Sequence, residues 1–224
     1  EPPKRGRMAK SRNERSSRRR RRRSRRNRGQ VQPPQDGSGL ALVRRLTNQP
    51  RAGTSEFLRA DLSVRAEVRN VARAILEQHQ RMDVLINNAG ARFDVFRQTP
   101  DGFERTFATN HLSHFLLTNL LLDSLKHAPA ARVVTVSSGS HGGANLKDGW
   151  QLNASNYDRR RAYANSKLAN IVFAYTLADR LKDTRVTSNA VDPGGVASNF
   201  SRNNGLLSWA KHLLAHGFRG ELDS

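Results

Sequence analysis

The chain has 224 residues, room for one domain with a full core or for one domain plus a tail. Its hydrophobic fraction, 36%, is low and its formal net charge, +20, is high; fifteen Lys/Arg and two Glu fall within residues 1–30, so +13 of that charge sits in the first segment. Without cysteine, disulfides, thiolate catalysis and Cys-based metal sites are excluded, and no apolar run approaches the ~18 residues of a membrane helix.

Residues 1–30 include Arg18 to Arg23 without a break. A segment of this composition repels itself and buries nothing, so it is expected to be disordered in isolation. It suits non-specific nucleic-acid binding or basic targeting, although no aromatic residue is interleaved for base stacking. A secretory signal is excluded because no apolar stretch follows the basic run. The same composition also fits a frame or start error, a segment never selected to fold with the rest. Residues 31–54 read as a linker, with Pro33-Pro34, Gly37, Gly39, Pro50 and Gly53, and at most a short helix over Leu40 to Leu46.

Regular patterning begins at Glu56. Glu56 to Ala60 reads as a short strand ending at Asp61-Leu62-Ser63, with Ser63 capping a helix that buries Val64, Val68, Val71, Ala72, Ile75 and Leu76. Asp83 to Ile86 is an apolar run of the buried parallel kind, delivering Asn87-Asn88-Ala89-Gly90, a turn of small residues that lets backbone approach a ligand. Asp101 is placed to cap a long helix reaching about Lys126. The β-branched run Arg132 to Val136 predicts another buried strand, with Ser137-Ser138 at its end. A helix follows from about Arg160 to Leu181, then a strand over Arg185 to Val191 ending in Asp192-Pro193-Gly194-Gly195.

Strand and helix alternate, so the predicted fold class is α/β, a doubly wound parallel sheet of Rossmann type, occupying residues 55–224 and incomplete at both ends. Every polar cluster falls where a strand stops, the edge at which open α/β sheets bind ligands. Within the last long helix, Tyr163 and Lys167 lie four apart and share a face. A neighbouring ammonium favours the phenolate, so the pair suits acid–base chemistry on an alcohol or carbonyl, with the phenol brought below its usual value of about 10. Tyr and Lys at this spacing also occur on many solvated helix faces. His111, His114 and His141 have neither triad nor metal spacing and read as structural or surface residues.

Asn87-Asn88-Ala89-Gly90, Asn110, Ser138, Tyr163-Ala164-Asn165-Ser166-Lys167 and Pro193-Gly194 together resemble the short-chain dehydrogenase/reductase family, over roughly residues 56–205. Asn110 to Phe115 and Tyr163 to Asn170 are most similar to its retinol-dehydrogenase and WW-domain-oxidoreductase branch. The resemblance implies hydride transfer between NAD or NADP and a small-molecule alcohol or carbonyl substrate. In that scheme Tyr163 is the general acid/base and Ser138 polarises the substrate oxygen. Lys167 lowers the tyrosine's pKa and holds the nicotinamide ribose, and Asn110 anchors the water linking Lys167 to solvent. It further implies that Asp61 and Leu62 meet the adenine and that backbone at Asn87, Ala89 and Gly90 lines the adenosine ribose. Pro193, Gly194 and Val196 would flank the nicotinamide, with Ser198 standing where a threonine is usual. A cytoplasmic location and a homo-oligomer are further expectations, and Leu206 to Phe218 would form part of a substrate lid. The competing reading is a basic-tailed nucleic-acid-binding protein on an inactive dehydrogenase-like core.

The family's first glycine loop, TGxxxGxG, is not recognisable in residues 1–54; Gly37-Ser38-Gly39-Leu40-Ala41 has no apolar strand before it. That loop is where backbone N–H groups and a helix dipole hold a pyrophosphate. The acidic or basic residue that selects NAD or NADP is equally unreadable. The expectation is therefore weak cofactor binding and poor catalysis. Fluorescence titration of the purified chain with NADPH and NADH checks it, and micromolar saturable binding would refute it.

Overall fold

The structure, a computed structural model, describes residues 54–194. The chain divides into two compact units, Glu1–Phe57 and Leu58–Ser224, and every element named below lies in the second. The basic run, the Leu40 to Leu46 helix, Val196, Ser198 and the Leu206 to Phe218 segment fall outside the described residues.

Three strands form one parallel sheet in the order β1 (Val84–Asn87), β2 (Ala131–Val136), β3 (Val186–Val191). Register pairs Leu85 with Val133 and Val133 with Ser188. Side chains alternate across the pleat, so Leu85, Ala131, Val133 and Val186 reach one face and are buried there. On the other face Val84 is 49% and Ile86 62% exposed. The sequence-predicted strand over Glu56 to Ala60 is not formed: its propensity is adequate, but a strand needs a ladder partner, and β1 pairs only with β2 among the described residues.

Helix α1 (Arg65–Gln78) presents Val68 and Ala72 to the core at helical spacing, while Leu76 turns outward. Its N-terminus departs from the expected chemistry. Ser63 does not cap it; the Ser63 N–H and hydroxyl both donate to Asp61 Oδ1, at 2.9 and 2.7 Å, closing a turn. The Arg65 N–H instead donates to Asp101 Oδ2 at 2.8 Å, and the Arg65 guanidinium bridges the same carboxylate at 3.1 Å. The Arg65 backbone bond first, and then the guanidinium, hold the Asp101 carboxyl below the usual carboxylate range.

The single long helix expected from Asp101 to Lys126 is instead a broken series. Glu104, not Asp101, caps its start, accepting the Thr106 and Phe107 N–H groups at 2.6 and 2.9 Å. Helix α2 (Arg105–Phe107) passes into a π-helical turn, Ala108–Leu112, then α3 (Ser113–Leu120), a break at Leu121, and α4 (Leu122–Lys126). Helix α5 (Arg159–Arg180) starts where Asp158 accepts the Arg161 N–H at 2.7 Å, within a residue of expectation. Phe173, Leu177 and Leu181 pack on β2 and β3 with Leu121 and Leu125.

Because the alternation separates the two faces by one residue, Leu85→Ala should cost about 2–5 kcal/mol in chemical denaturation. Ile86→Lys, one position on, should change stability by no more than about 0.5 kcal/mol and should reduce self-association, read by light scattering.

Candidate active site

The site is assembled at the C-terminal ends of β1, β2 and β3 and on one face of α5. The π-helical turn matters most, because one extra residue per turn directs Asn110 inward rather than along the α-helical path. Asn110 is fully buried. Its Oδ1 accepts the Ala91 N–H at 2.8 Å, and its Nδ2 donates to the Ala91 carbonyl at 2.9 Å and to Ser166 Oγ at 3.0 Å. Its own carbonyl accepts from Asn170 Nδ2 at 3.0 Å. One side chain thus ties the loop after β1 to the helix carrying Tyr163 and Lys167.

Lys167 is 3% exposed, so this is not a solvated helix face. Its Nζ donates to the Val136 carbonyl at 2.9 Å and lies 5.6 Å from the centre of the Tyr163 ring. Burial lowers its pKa to about 8, placing the proton within reach of working pH. Ser138 ends the turn after β2 and its hydroxyl hydrogen-bonds the Tyr163 phenol. Four residues expected to act together are therefore brought together: Asn110, Ser138, Tyr163 and Lys167.

One expected effect runs the other way. The Tyr163 phenol is pushed above its ordinary value, not below it, with desolvation the largest cause. The bond from Ser138 and the Arg92 charge pull it down, and the Asp192 carboxylate pushes it up. The ammonium is directed at the Val136 carbonyl.

For the cofactor positions, Asp61, Leu62, Ala89 and Gly90 line a cavity of about 730 Å³, together with Phe93, Arg97, Arg105 and Thr109. A Cβ on Gly90 would stand 3.5 Å from Lys167 Nζ and 3.6 Å from Asn110 Oδ1, so a side chain there would occupy the approach to both. A cavity that combines apolar Leu62, Phe93 and Val95 with charged Asp61, Asp94, Arg97 and Arg105, beside a buried amine, fits an adenosine-bearing dinucleotide. Asn87 does not line it: its buried amide donates to Thr118 Oγ1 at 2.9 Å and Thr135 Oγ1 at 3.4 Å, holding β1 to α3 and β2. Pro193 and Gly194 lie exposed at the end of β3, where the Gly194 N–H donates to Asp192 Oδ1 at 3.0 Å with φ +69°.

The structure adds residues that the sequence reading passed over. Ser166 Oγ donates to the Tyr163 carbonyl at 2.7 Å while accepting from Asn110, and Ser137 Oγ donates to the Lys167 carbonyl at 2.8 Å. Asn165 Oδ1 accepts the Asn145 N–H at 2.9 Å, tying the loop after Gly143 to α5. Their spacing from Tyr163 and Lys167 was the available signal, since Ser166 and Asn170 follow Tyr163 at +3 and +7. His111 is structural, its Nδ1 3.1 Å from Asn170 Oδ1 and its ring among Phe107, Phe115 and Phe173. His114, also buried, is driven to a pKa of about 3, first by desolvation and then by the Lys167 and His111 charges, and so is neutral.

Known proteins similar to this chain point to one family. The family model described as short chain dehydrogenase matches residues 35–206. Mouse retinol dehydrogenase 14 is 45% identical over 157 residues, covering 69% of this chain and 46% of that protein. Human retinol dehydrogenase 11 is 39% identical over 169 residues, covering 75% and 53%. The chain thus spans about half the length of the curated relatives it matches. Among solved structures, an uncharacterized protein from Mycobacterium Paratuberculosis aligns with TM-score 0.58 at 35% identity, over 83% of this chain and 65% of that one. The Pseudomonas aeruginosa RhlG/NADP active-site complex aligns with TM-score 0.56 at 26% identity, over 76% and 64%.

The low Lys167 pKa makes stability pH-dependent. Between about pH 8 and the ordinary lysine value of 10.5 the unfolded chain holds the proton and the folded one does not, so stability rises with pH across that window. Denaturation of wild type against Lys167→Met should show wild type gaining up to about 3 kcal/mol on the variant between pH 8 and 10.5. Parallel curves would show that Lys167 keeps an ordinary pKa.

Proposed function

This chain belongs to the short-chain dehydrogenase family, in its retinol-dehydrogenase-like branch, and we propose that it is an NAD(P)-dependent oxidoreductase interconverting an alcohol and a carbonyl compound. The observation that carries the reading is the convergence of Ser138, Tyr163 and Lys167 at the strand ends, locked by Asn110.

The residues that would hold the dinucleotide are Asp61, Leu62, Ala89 and Gly90 at the cavity, with Lys167 beside them. A bound nicotinamide supplies or accepts the hydride. The chain's own residues manage the proton and the charge. A phenol raised by burial is protonated at neutral pH, so Tyr163 is ready to give its proton to the oxygen of a carbonyl substrate. The Ser138 hydroxyl, next to that phenol, donates to the same oxygen and stabilises the charge that develops on it. Lys167, with a pKa near 8, is the nearby group able to take part in restoring the tyrosine's proton at modest cost. For oxidation the same groups act in reverse, with tyrosinate as the base.

In this reading Tyr163→Phe should leave NADPH binding unchanged, read by fluorescence, and lower turnover of a carbonyl panel ~10²–10⁴-fold, read by NADPH consumption. Equal turnover by the variant and wild type would sink the proton role.

A further inference from the structure

Arg97 and Arg105 take no part in the scheme above, yet the fold sets them side by side on the cavity wall. Gln98 and Glu104 form an antiparallel bridge, and the next pair out is closed by the Arg105 N–H, which donates to the Arg97 carbonyl at 3.0 Å. Residues opposed in this way project to the same side, and both arginines line the cavity that Asp61, Leu62, Ala89 and Gly90 also line. Like charges directly opposed cost stability, and among the described residues neither guanidinium has a carboxylate partner to offset that cost. The half-buried Arg105 is held by its guanidinium carbon, which lies 4.3 Å from the centre of the Phe93 ring. That contact leaves its N–H donors free for a ligand. The carboxylates lining the same cavity are already engaged. Asp94 pairs with Arg159 at 2.6 Å, and Asp61 Oδ1 accepts from the Ser63 N–H and hydroxyl.

Two guanidiniums without ion partners on a dinucleotide cavity discriminate between dinucleotides. NAD(H) and NADP(H) share a pyrophosphate in which each phosphate carries a single charge, and they differ only in a phosphomonoester on the adenosine 2′ oxygen. That monoester carries about −1.5 to −2 charge at neutral pH and presents three strong acceptor oxygens, enough for two guanidinium forks. We propose that Arg97 and Arg105 receive the 2′-phosphate and so select NADP(H) over NAD(H). The bound phosphate would also relieve the repulsion between the two arginines. Arg105, held over Phe93, meets it with little ordering to do, whereas the exposed Arg97 side chain must give up rotamer freedom to join. The proposal rests on reading this cavity as the dinucleotide's.

The test uses the full chain and reads binding, not turnover. Isothermal titration with adenosine 2′-monophosphate, adenosine 5′-monophosphate and adenosine separates the position of the phosphate from the nucleoside. The 2′-monophosphate should bind ~10–100-fold more tightly than the other two, and NADP+ should exceed NAD+ by a similar factor. Both gaps should narrow as chloride is raised. Arg105→Met should remove most of the NADP+ advantage and Arg97→Met a smaller part, while NAD+ affinity stays at its wild-type value. Arg105→Lys, which keeps the charge and loses the fork, should retain a diminished advantage. If wild type binds the two monophosphates equally, or NADP+ and NAD+ equally, the proposal is overturned; that comparison does not depend on the variants folding. A 2′-phosphate preference without hydride transfer to any carbonyl would leave the arginine site standing and count against the oxidoreductase reading. Hydride transfer from NADH and NADPH alike, with equal affinity for both, would do the reverse.

Discussion

The site depends on a hydrogen-bond network centred on one buried amide. Asn110 spends its side chain on the loop after β1 and on Ser166 in α5, and its carbonyl on Asn170. Asn165, Ser166 and Asn170 are as fully buried as Asn110, so the interior stretch of α5 carries polar side chains between buried alanines. Such an interior is stable only when nearly every member is satisfied, and then it fixes one geometry. The apolar core lies further along, from Phe173 to Leu181.

Electrostatically the site is a competition between burial and charge. Desolvation is the first cause for Tyr163 and Lys167 alike, and it pushes the phenol up and the amine down, bringing both towards their neutral forms. A neutral phenol suits proton donation, and a nearly neutral amine suits proton exchange. The largest shift on each side of the reaction therefore has one physical origin, low polarity around the strand ends.

Much of the scaffold was legible in the residues themselves. Apolar, largely β-branched runs located β1, β2 and β3 to within about one residue, and the four-residue spacing put Tyr163 and Lys167 on one face of α5. Four motif residues, Asn110, Ser138, Tyr163 and Lys167, did converge. What was not legible depended on contacts distant in sequence. The region from Asp101 to Lys126 reads as one helix because neither its π-helical turn at Asn110, which reaches Ala91, nor its break at Leu121 is marked by a proline or glycine beyond Gly102. The segment from Glu56 to Ala60 has strand composition, yet ladder formation is a property of two segments. The direction of the Tyr163 shift could not follow from a four-residue spacing, because spacing says nothing of how deeply the phenol is buried.

The carboxylate of Asp101 joins two segments far apart in the chain. It sits in the loop leading from β1 to α2, yet it closes the first turn of α1, thirty-six positions earlier in the chain. A helix end held from so far away cannot fray independently. Amide exchange at the start of α1 is therefore governed by the opening of the loop beyond β1, the same loop whose backbone Asn110 grips. The Asp101 contact thus links the first turn of α1 to the loop that also carries Ala91, and its loss should lower amide protection at the start of α1.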